Sequence, residues 1–317
     1  MNSSDPILIT GGTGMVGSRL VAQLQSQGFD RLLVPSRQEM DLCDSRSVDA
    51  WFEQHRPKYA FFLAAQVGGI MANIEDPTGF LANNLRIVVN QLSACHQFGV
   101  EKSLLLGSSC IYPRECPQPM REESLLTGPL EPTNEGYAIA KIAGLRLAQA
   151  YRKQYGMKCV LPMPCNIYGT GDHFELERSH VLSALVKRFC DAKEAKAGEV
   201  VLWGTGAARR EFIHVDDVVA GILHLFKVAE GEEIINLGTG EDVSIAELAA
   251  LIAAETGYEG EIVWDTSRPD GMLRKCTDVS RLAASGFKAR ISLREGVRRT
   301  VSEYRTLVGQ DSNPRAA

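Results

Sequence analysis

The chain has 317 residues, 44% of them hydrophobic and 23% charged, with a net charge of −5. That balance fits an ordered globular protein, either one large α/β unit or two modest domains, and it excludes a fibrous or disordered chain. The mild negative charge argues against nucleic acid as the main partner, because phosphate-backbone binders concentrate Lys and Arg.

The eight cysteines form no CxxC pair and read as reduced thiols; the N-terminus is short and polar, and no apolar stretch reaches bilayer length. A cytoplasmic protein without a membrane segment is the expectation. No metal site is expected.

Ile7 to Thr10 reads as the first strand, and Gly11-Gly12-Thr13-Gly14-Met15-Val16-Gly17 follows it directly, leading into a helical pattern from Ser18 to Gln27. Glycines at this spacing permit a tight turn and let the backbone approach a pyrophosphate, whose charge is stabilised by amide donors and the positive end of the helix. The second strand, Arg31 to Pro35, runs into Ser36 and Arg37. NAD-preferring folds of this kind place Asp or Glu there to accept from the ribose hydroxyl, whereas an arginine welcomes a phosphate on that ribose. NADP(H) is therefore the expected cofactor.

Tyr59 to Ala65, Ser103 to Ser108 and Cys159 to Met163 continue the series of short apolar runs, with helical patterns between them. Strands alternating with helices predict an α/β fold, a Rossmann-type doubly wound parallel sheet with helices on both faces. Ser108 and Ser109 fall at the end of the fourth strand, where open parallel sheets bind ligands beyond their carboxyl edges. Tyr137 and Lys141 lie four residues apart in a helical run and share one face. A neighbouring ammonium favours phenolate, so Lys141 is expected to lower the pKa of Tyr137 and make it a proton donor or acceptor near neutrality.

After about residue 165 the rhythm changes. A helix near Ser179 to Lys196, a strand Val200 to Trp203, a helix Asp216 to Val228, a strand Glu233 to Asn236, a helix Ile245 to Thr256 and a strand Glu261 to Trp264 predict a smaller C-terminal α/β substrate lobe. The expected division is a cofactor-binding domain over residues 1–165, rejoined by a later segment at about 211–240, a substrate lobe over 166–308, and a flexible polar tail over 309–317.

The segments Gly107-Ser108-Ser109-Cys110-Ile111-Tyr112-Pro113, Leu130 to Lys141, Arg210 to Asp217, Val67-Gly68-Gly69-Ile70 and Pro269-Asp270-Gly271 are specific in combination. On them the chain resembles the GDP-L-fucose synthases of the extended short-chain dehydrogenase/reductase superfamily. The resemblance implies a substrate, GDP-4-keto-6-deoxy-D-mannose, that is epimerised at the two carbons flanking its ketone and then reduced with NADPH to GDP-L-fucose. It implies Ser108, Tyr137 and Lys141 for hydride transfer, and Cys110 with His180 as the acid/base pair of epimerisation. It places the cofactor against Gly11 to Gly17, Ser36, Arg37, Leu106, Gly107, Ser108, Ser109, Lys141, Pro164, Cys165, Asn166, Ile167 and His180. It places the sugar nucleotide against Arg188, Trp203, Arg210 and Asp270, with Lys187 adjacent, and it implies a homodimer formed through the helices near Leu81 to Phe98 and Gly136 to Tyr155.

The chain departs from the family at Cys165, where threonine is usual, and at Thr13, where arginine is often found. Read from the residues alone, a buried cysteine such as Cys110 is more often a small inert hydrophobe. His180 can be a capping group, and Trp203 an ordinary core aromatic. Two rival readings are an epimerase or dehydratase that holds NAD tightly, against which Arg37 and Cys110 speak, and a non-catalytic NADP-binding sensor, against which the intact Ser108, Tyr137 and Lys141 speak.

Overall fold

A computed structural model describes residues 1–174, 180–230, 233–268 and 270–311. Ser179, Pro269 and residues 312–317, on which parts of the expectations fall, lie outside the described residues. The first half of the chain alternates as expected. It runs through β1 (Ile7–Thr10), α1 (Met15–Ser26), β2 (Leu32–Leu33), α2 (Ser45–His55), β3 (Tyr59–Phe62), α3 (Ile70–Glu75), α4 (Pro77–Phe98), β4 (Lys102–Leu105), α5 (Glu135–Tyr155) and β5 (Cys159–Pro164). The second half adds β6 (Asn166–Tyr168), α6 (Val181–Glu194), β7 (Glu199–Trp203), β8 (Arg209–His214), α7 (Val215–Val228), β9 (Ile234–Leu237), β10 (Asp242–Ser244), α8 (Ile245–Thr256), β11 (Glu261–Asp265), β12 (Arg274–Lys275), α9 (Ser280–Ala284) and α10 (Leu293–Asp311).

Among the described residues, β2-β1-β3-β4-β5-β9 form a six-stranded sheet in which every neighbouring pair is parallel. Its strands read as unbroken apolar runs because both faces are covered. Alternate residues divide between two cores. Leu8, Ala60 and Phe62 pack with Phe52 of α2, Leu92 of α4 and Leu145 of α5, while Ile7, Ile9 and Phe61 pack with Leu20 of α1 and Ile222 of α7. β2 is cut to two residues at the sheet edge because Pro35, lacking an amide hydrogen, cannot extend its ladder.

Of the stretch 211–240, α7 packs on the large sheet and β9 joins it, whereas β8 belongs elsewhere. It pairs with β6, β10 and β12 in a smaller sheet, which carries the chain from the end of β5 into the second lobe. A third apolar cluster, including Leu182, Val186 and Phe189 of α6, Ile252 of α8 and Val301 of α10, forms the core of that lobe. α10 runs on to Asp311, so the expected tail does not begin at Gly309. Among the described residues no helix is long and apolar enough to cross a membrane.

Candidate active site

The loop after β1 is as tight as its glycines allow. Gly11 has φ of 69°, and a Cβ there would lie 2.8 Å from the Ala64 amide nitrogen; a Cβ at Gly17 would lie 2.0 Å from the Gly11 carbonyl oxygen. Only glycine lets the loop, β3 and α1 approach so closely. Gly14 caps α1 without a side-chain acceptor, and no acidic residue stands in the first turn, which contains Met15, Val16 and Gly17. The first amides of α1 are thus left facing an anionic ligand without competition.

Beside this loop lies a cavity of about 520 Å³, lined by Gly11, Gly12, Thr13, Ser36 and Arg37 among others. Met40, Asp41, Leu42, Cys43, Ala64, Ala65, Gln66, Asn83 and Ile87 complete the wall. Sequence reasoning missed those residues, although the carboxyl end of β3 was a signal for Ala64 to Gln66. The cavity, with Arg37 rather than an acid directly after Pro35 and Ser36, fits a dinucleotide with a phosphorylated ribose.

At the carboxyl edge of the sheet, Leu106 and Gly107 donate to the Phe62 and Pro162 carbonyls at 3.1 and 2.9 Å, so Ser108 is the first residue clear of the ladder. It starts a single 3-10 turn, Ser109–Ile111, and its hydroxyl accepts from the Cys110 amide at 3.3 Å. α5 brings Tyr137 and Lys141 to the same place. The Lys141 ammonium donates to the Leu106 carbonyl at 2.8 Å and lies 5.5 Å from the centre of the Tyr137 ring.

These contacts correct the expected pKa of Tyr137. Loss of water around the phenol pushes its pKa well above the ordinary value, and charge on Cys110 pushes it further the same way. Loss of water outweighs the Lys141 ammonium that lies over the ring. Burial in turn pulls Lys141 down to about 8. The phenol is therefore neutral, which suits a group that gives up a proton.

Cys110 is buried, and burial raises its thiol above the ordinary value against opposing pulls from Lys275, the Ser108 hydroxyl and Lys141. The thiol is thus the resting form. Lys275, missed in the sequence, stands on β12 opposite Arg210 of β8 and is itself pulled down by burial. Nothing in its local sequence marks it, since only strand pairing brings it to the site.

Pro164 ends β5, Cys165 donates its amide to the Leu237 carbonyl at 3.1 Å, and the Asn166 side chain donates to the Glu211 carbonyl at 2.6 Å. With Ile167 they form the bridge from the large sheet to β8. His180 precedes α6 and is 56% exposed, with its Nδ1 3.7 Å from the Asp172 carboxylate. Among the described residues no hydrogen bond or ion pair joins it to Ser108, Cys110, Tyr137 or Lys141.

The four expected nucleotide contacts all lie in the second lobe. Arg188 on α6 donates to the Val201 carbonyl at 3.2 Å. Trp203 ends β7 and is 64% exposed, which removes the core-aromatic reading, and the Arg268 guanidinium lies 5.2 Å above its ring. Arg210 donates to the Met272 carbonyl at 2.6 Å, beside Lys275. Asp270 is engaged with Thr205, accepting from its amide and hydroxyl at 2.9 and 2.6 Å, and so fixes the turn that presents Trp203.

Comparison with known proteins identifies the family. The model of the NAD dependent epimerase/dehydratase family matches residues 7–238. GDP-L-fucose synthase 1 of Arabidopsis thaliana is 46% identical over 303 residues, covering 96% of this chain and 94% of its own length. GDP-L-fucose synthase of Escherichia coli strain K12 is 45% identical over 307 residues, covering 94% and 96%. The crystal structure of a GDP-L-fucose synthetase from Naegleria fowleri bound to NADP superposes with a TM-score of 0.87 at 26% identity, covering 99% of this chain and 98% of that one.

Proposed function

The chain belongs to the NAD dependent epimerase/dehydratase family and, within it, to the GDP-L-fucose synthases, and from that premise we propose how its own residues divide the work. The reaction is the conversion of GDP-4-keto-6-deoxy-D-mannose to GDP-L-fucose, with NADP(H) as cofactor. One observation carries the residue assignment: Ser108, Cys110, Tyr137 and Lys141 meet at the carboxyl edge of the parallel sheet.

Carbons beside a ketone become acidic only when negative charge on the oxygen is stabilised, and the hydroxyls of Ser108 and Tyr137 are the donors for that oxygen. Cys110 and His180 then exchange protons with the two flanking carbons, one taking a proton and the other returning one to the opposite face. When bound, NADPH supplies the hydride that reduces the ketone. Tyr137 gives its phenolic proton to the oxygen, and the Lys141 ammonium over its ring stabilises the negative charge left behind.

Gly11 to Gly17, Ser36 and Arg37 hold the diphosphate and ribose-phosphate half of the cofactor, and Leu106 to Ser109, Pro164 to Ile167 and Lys141 line its reactive half. In this reading residues 1–165 with α7 and β9 bind the cofactor, and 166–308 mainly bind the sugar nucleotide. Arg188 and Arg210 take the substrate's diphosphate and Trp203 its base, while Asp270 acts by fixing the Trp203 turn. A cytoplasmic site of action belongs to the proposal, supported by the eight free cysteines. So does a homodimer through α4 and α5, supported by exposed Val89, Ile139 and Tyr155 on those helices; sedimentation equilibrium giving a monomer at micromolar concentration would remove that part.

The deciding experiment follows substrate protons and cofactor separately. Cys110→Ser is expected to slow solvent-deuterium entry into the keto-sugar more than NADPH oxidation with an already epimerised intermediate. Equal losses in both would overturn the assignment of Cys110. Protein purified with stoichiometric NAD and no NADPH oxidation would favour the tightly held NAD reading, and no turnover of any keto-sugar nucleotide would favour a sensor.

A further inference from the structure

The Asp172 carboxylate is held from two sides. Its side chain is 4% exposed. One oxygen accepts from the His173 amide at 2.9 Å, and the other from the Ser183 hydroxyl in the first turn of α6. Both donors are neutral, so they orient the carboxylate without cancelling its charge, and a buried uncancelled charge is costly. Among the described residues His180 is the cationic partner, with Nδ1 3.7 Å from the oxygen that His173 also holds. From α10, one Glu303 oxygen accepts from the Gly171 amide at 2.9 Å while the other is buried without a hydrogen-bond partner, and on α6 Lys187 is paired with Asp191.

We propose that Asp172 is the positioning residue of the second acid/base group: its carboxylate stands behind Nδ1 of His180 as an ion-pair partner, leaving Nε2 as the nitrogen that passes a proton to the substrate. An imidazole whose Nδ1 faces a carboxylate has Nε2 as its free position for proton transfer, and the carboxylate favours the charged ring. Asp172 raises the His180 pKa above its ordinary value, against a weaker opposing effect of lost water. The charged ring is therefore the resting form over a wider pH range, and it acts as the proton donor. In each epimerisation the Cys110 thiolate takes the proton from one face, the electron pair of the broken C–H bond is held as an enolate, and a new C–H bond forms with the Nε2 proton on the other. The neutral imidazole then takes a proton from water, which its 56% exposure permits. Two epimerisations per turnover need two such recharges, each balanced by the Cys110 thiol returning its proton to water.

The inference rests on His180 being an acid/base residue, and the test separates the two claims. In Asp172→Asn, NMR titration of the His180 ring in the free protein is expected to show a lower pKa. The pH above which deuterium entry into substrate is lost is expected to fall with it, so that exchange near pH 8 drops about tenfold for each pH unit by which the ring's titration moves down. Reduction of an epimerised intermediate should be unchanged. Ser183→Ala, which loosens the carboxylate without removing it, should move both quantities the same way by less, and Asp172→Glu should restore part of each. An unchanged His180 titration in both weakened variants overturns the proposal. A lowered titration with an unmoved exchange profile would leave the pair intact and sink the acid/base role of His180.

Discussion

In the cofactor cavity the residues that matter follow one another along the chain, whereas at the acid/base end they arrive from segments far apart. Gly11 to Gly17 form one loop and Ser36 with Arg37 the next turn, each placed by the strand before it. Cys110 comes from the turn after β4, Lys275 from β12, Arg210 from β8, and the Asp172–His180 pair from the approach to α6. The first site is set by local backbone geometry. The second depends on how the small sheet docks against the large one, so its electrostatics are a property of the assembled molecule.

The largest effect should come where the two regions meet. Tyr137→Phe keeps the ring and removes the proton donor, so NADPH oxidation is expected to fall by about 10²- to 10⁴-fold while NADPH affinity and thermal stability stay as they were. Steady-state rates with a fluorescence titration of NADPH would show it. Parallel loss of binding would break the contrast, because the phenol would then belong to the cofactor cavity.

Arg37→Ala probes the locally built side. A charge-assisted contact contributes about 1.5–3 kcal/mol, so NADPH should bind about 10- to 100-fold more weakly. NADH, without the ribose phosphate, should bind as before. Thr13 offers no second guanidinium from the glycine loop, which leaves Arg37 as the cation among the residues lining the cavity. Calorimetry with both nucleotides reads this without any sugar substrate, and equal weakening of the two would remove Arg37 from the phosphate.

The same contrast explains what could be read from the sequence. α8 was legible to the residue because Ser244 and Glu247 form a reciprocal cap and Gly257 ends the helix in the left-handed region. The glycine loop, the turn after β4 and the Tyr137/Lys141 pair were legible for a similar reason, since each is a local pattern whose parts lie within one helix or turn. The protonation of Tyr137 was not legible. Spacing along α5 places Lys141 beside the ring, but the loss of water, with Cys110 beside the phenol, decides the outcome, and both come from the packing of the folded site. Lys275 and Asp172 stayed hidden because neither belongs to a recognisable local pattern; pairing of β12 with β8 and the bond from the Ser183 hydroxyl of α6 bring them in.

Lys275→Met tests the assembled side by its electrostatics, and the expected effect is the smallest of the three. Burial drives the Cys110 thiol upward, and Lys275 is the largest opposing influence, ahead of the Ser108 hydroxyl and Lys141. Removing the ammonium should raise the thiol pKa further, so whatever step needs the thiolate sets in at higher pH. If Cys110 is the group that takes the proton, deuterium entry at neutral pH falls about tenfold for each pH unit by which the thiol's titration moves up, and it recovers on going alkaline. Lys275→Arg keeps a cation on β12 and should restore most of the rate, which a purely steric role would not predict. Cofactor binding should be indifferent to both variants, since Lys275 does not line that cavity. An unmoved pH profile in Lys275→Met would mean that the turn after β4 prepares the thiol by itself, and the acid/base end would then be as locally built as the cofactor cavity.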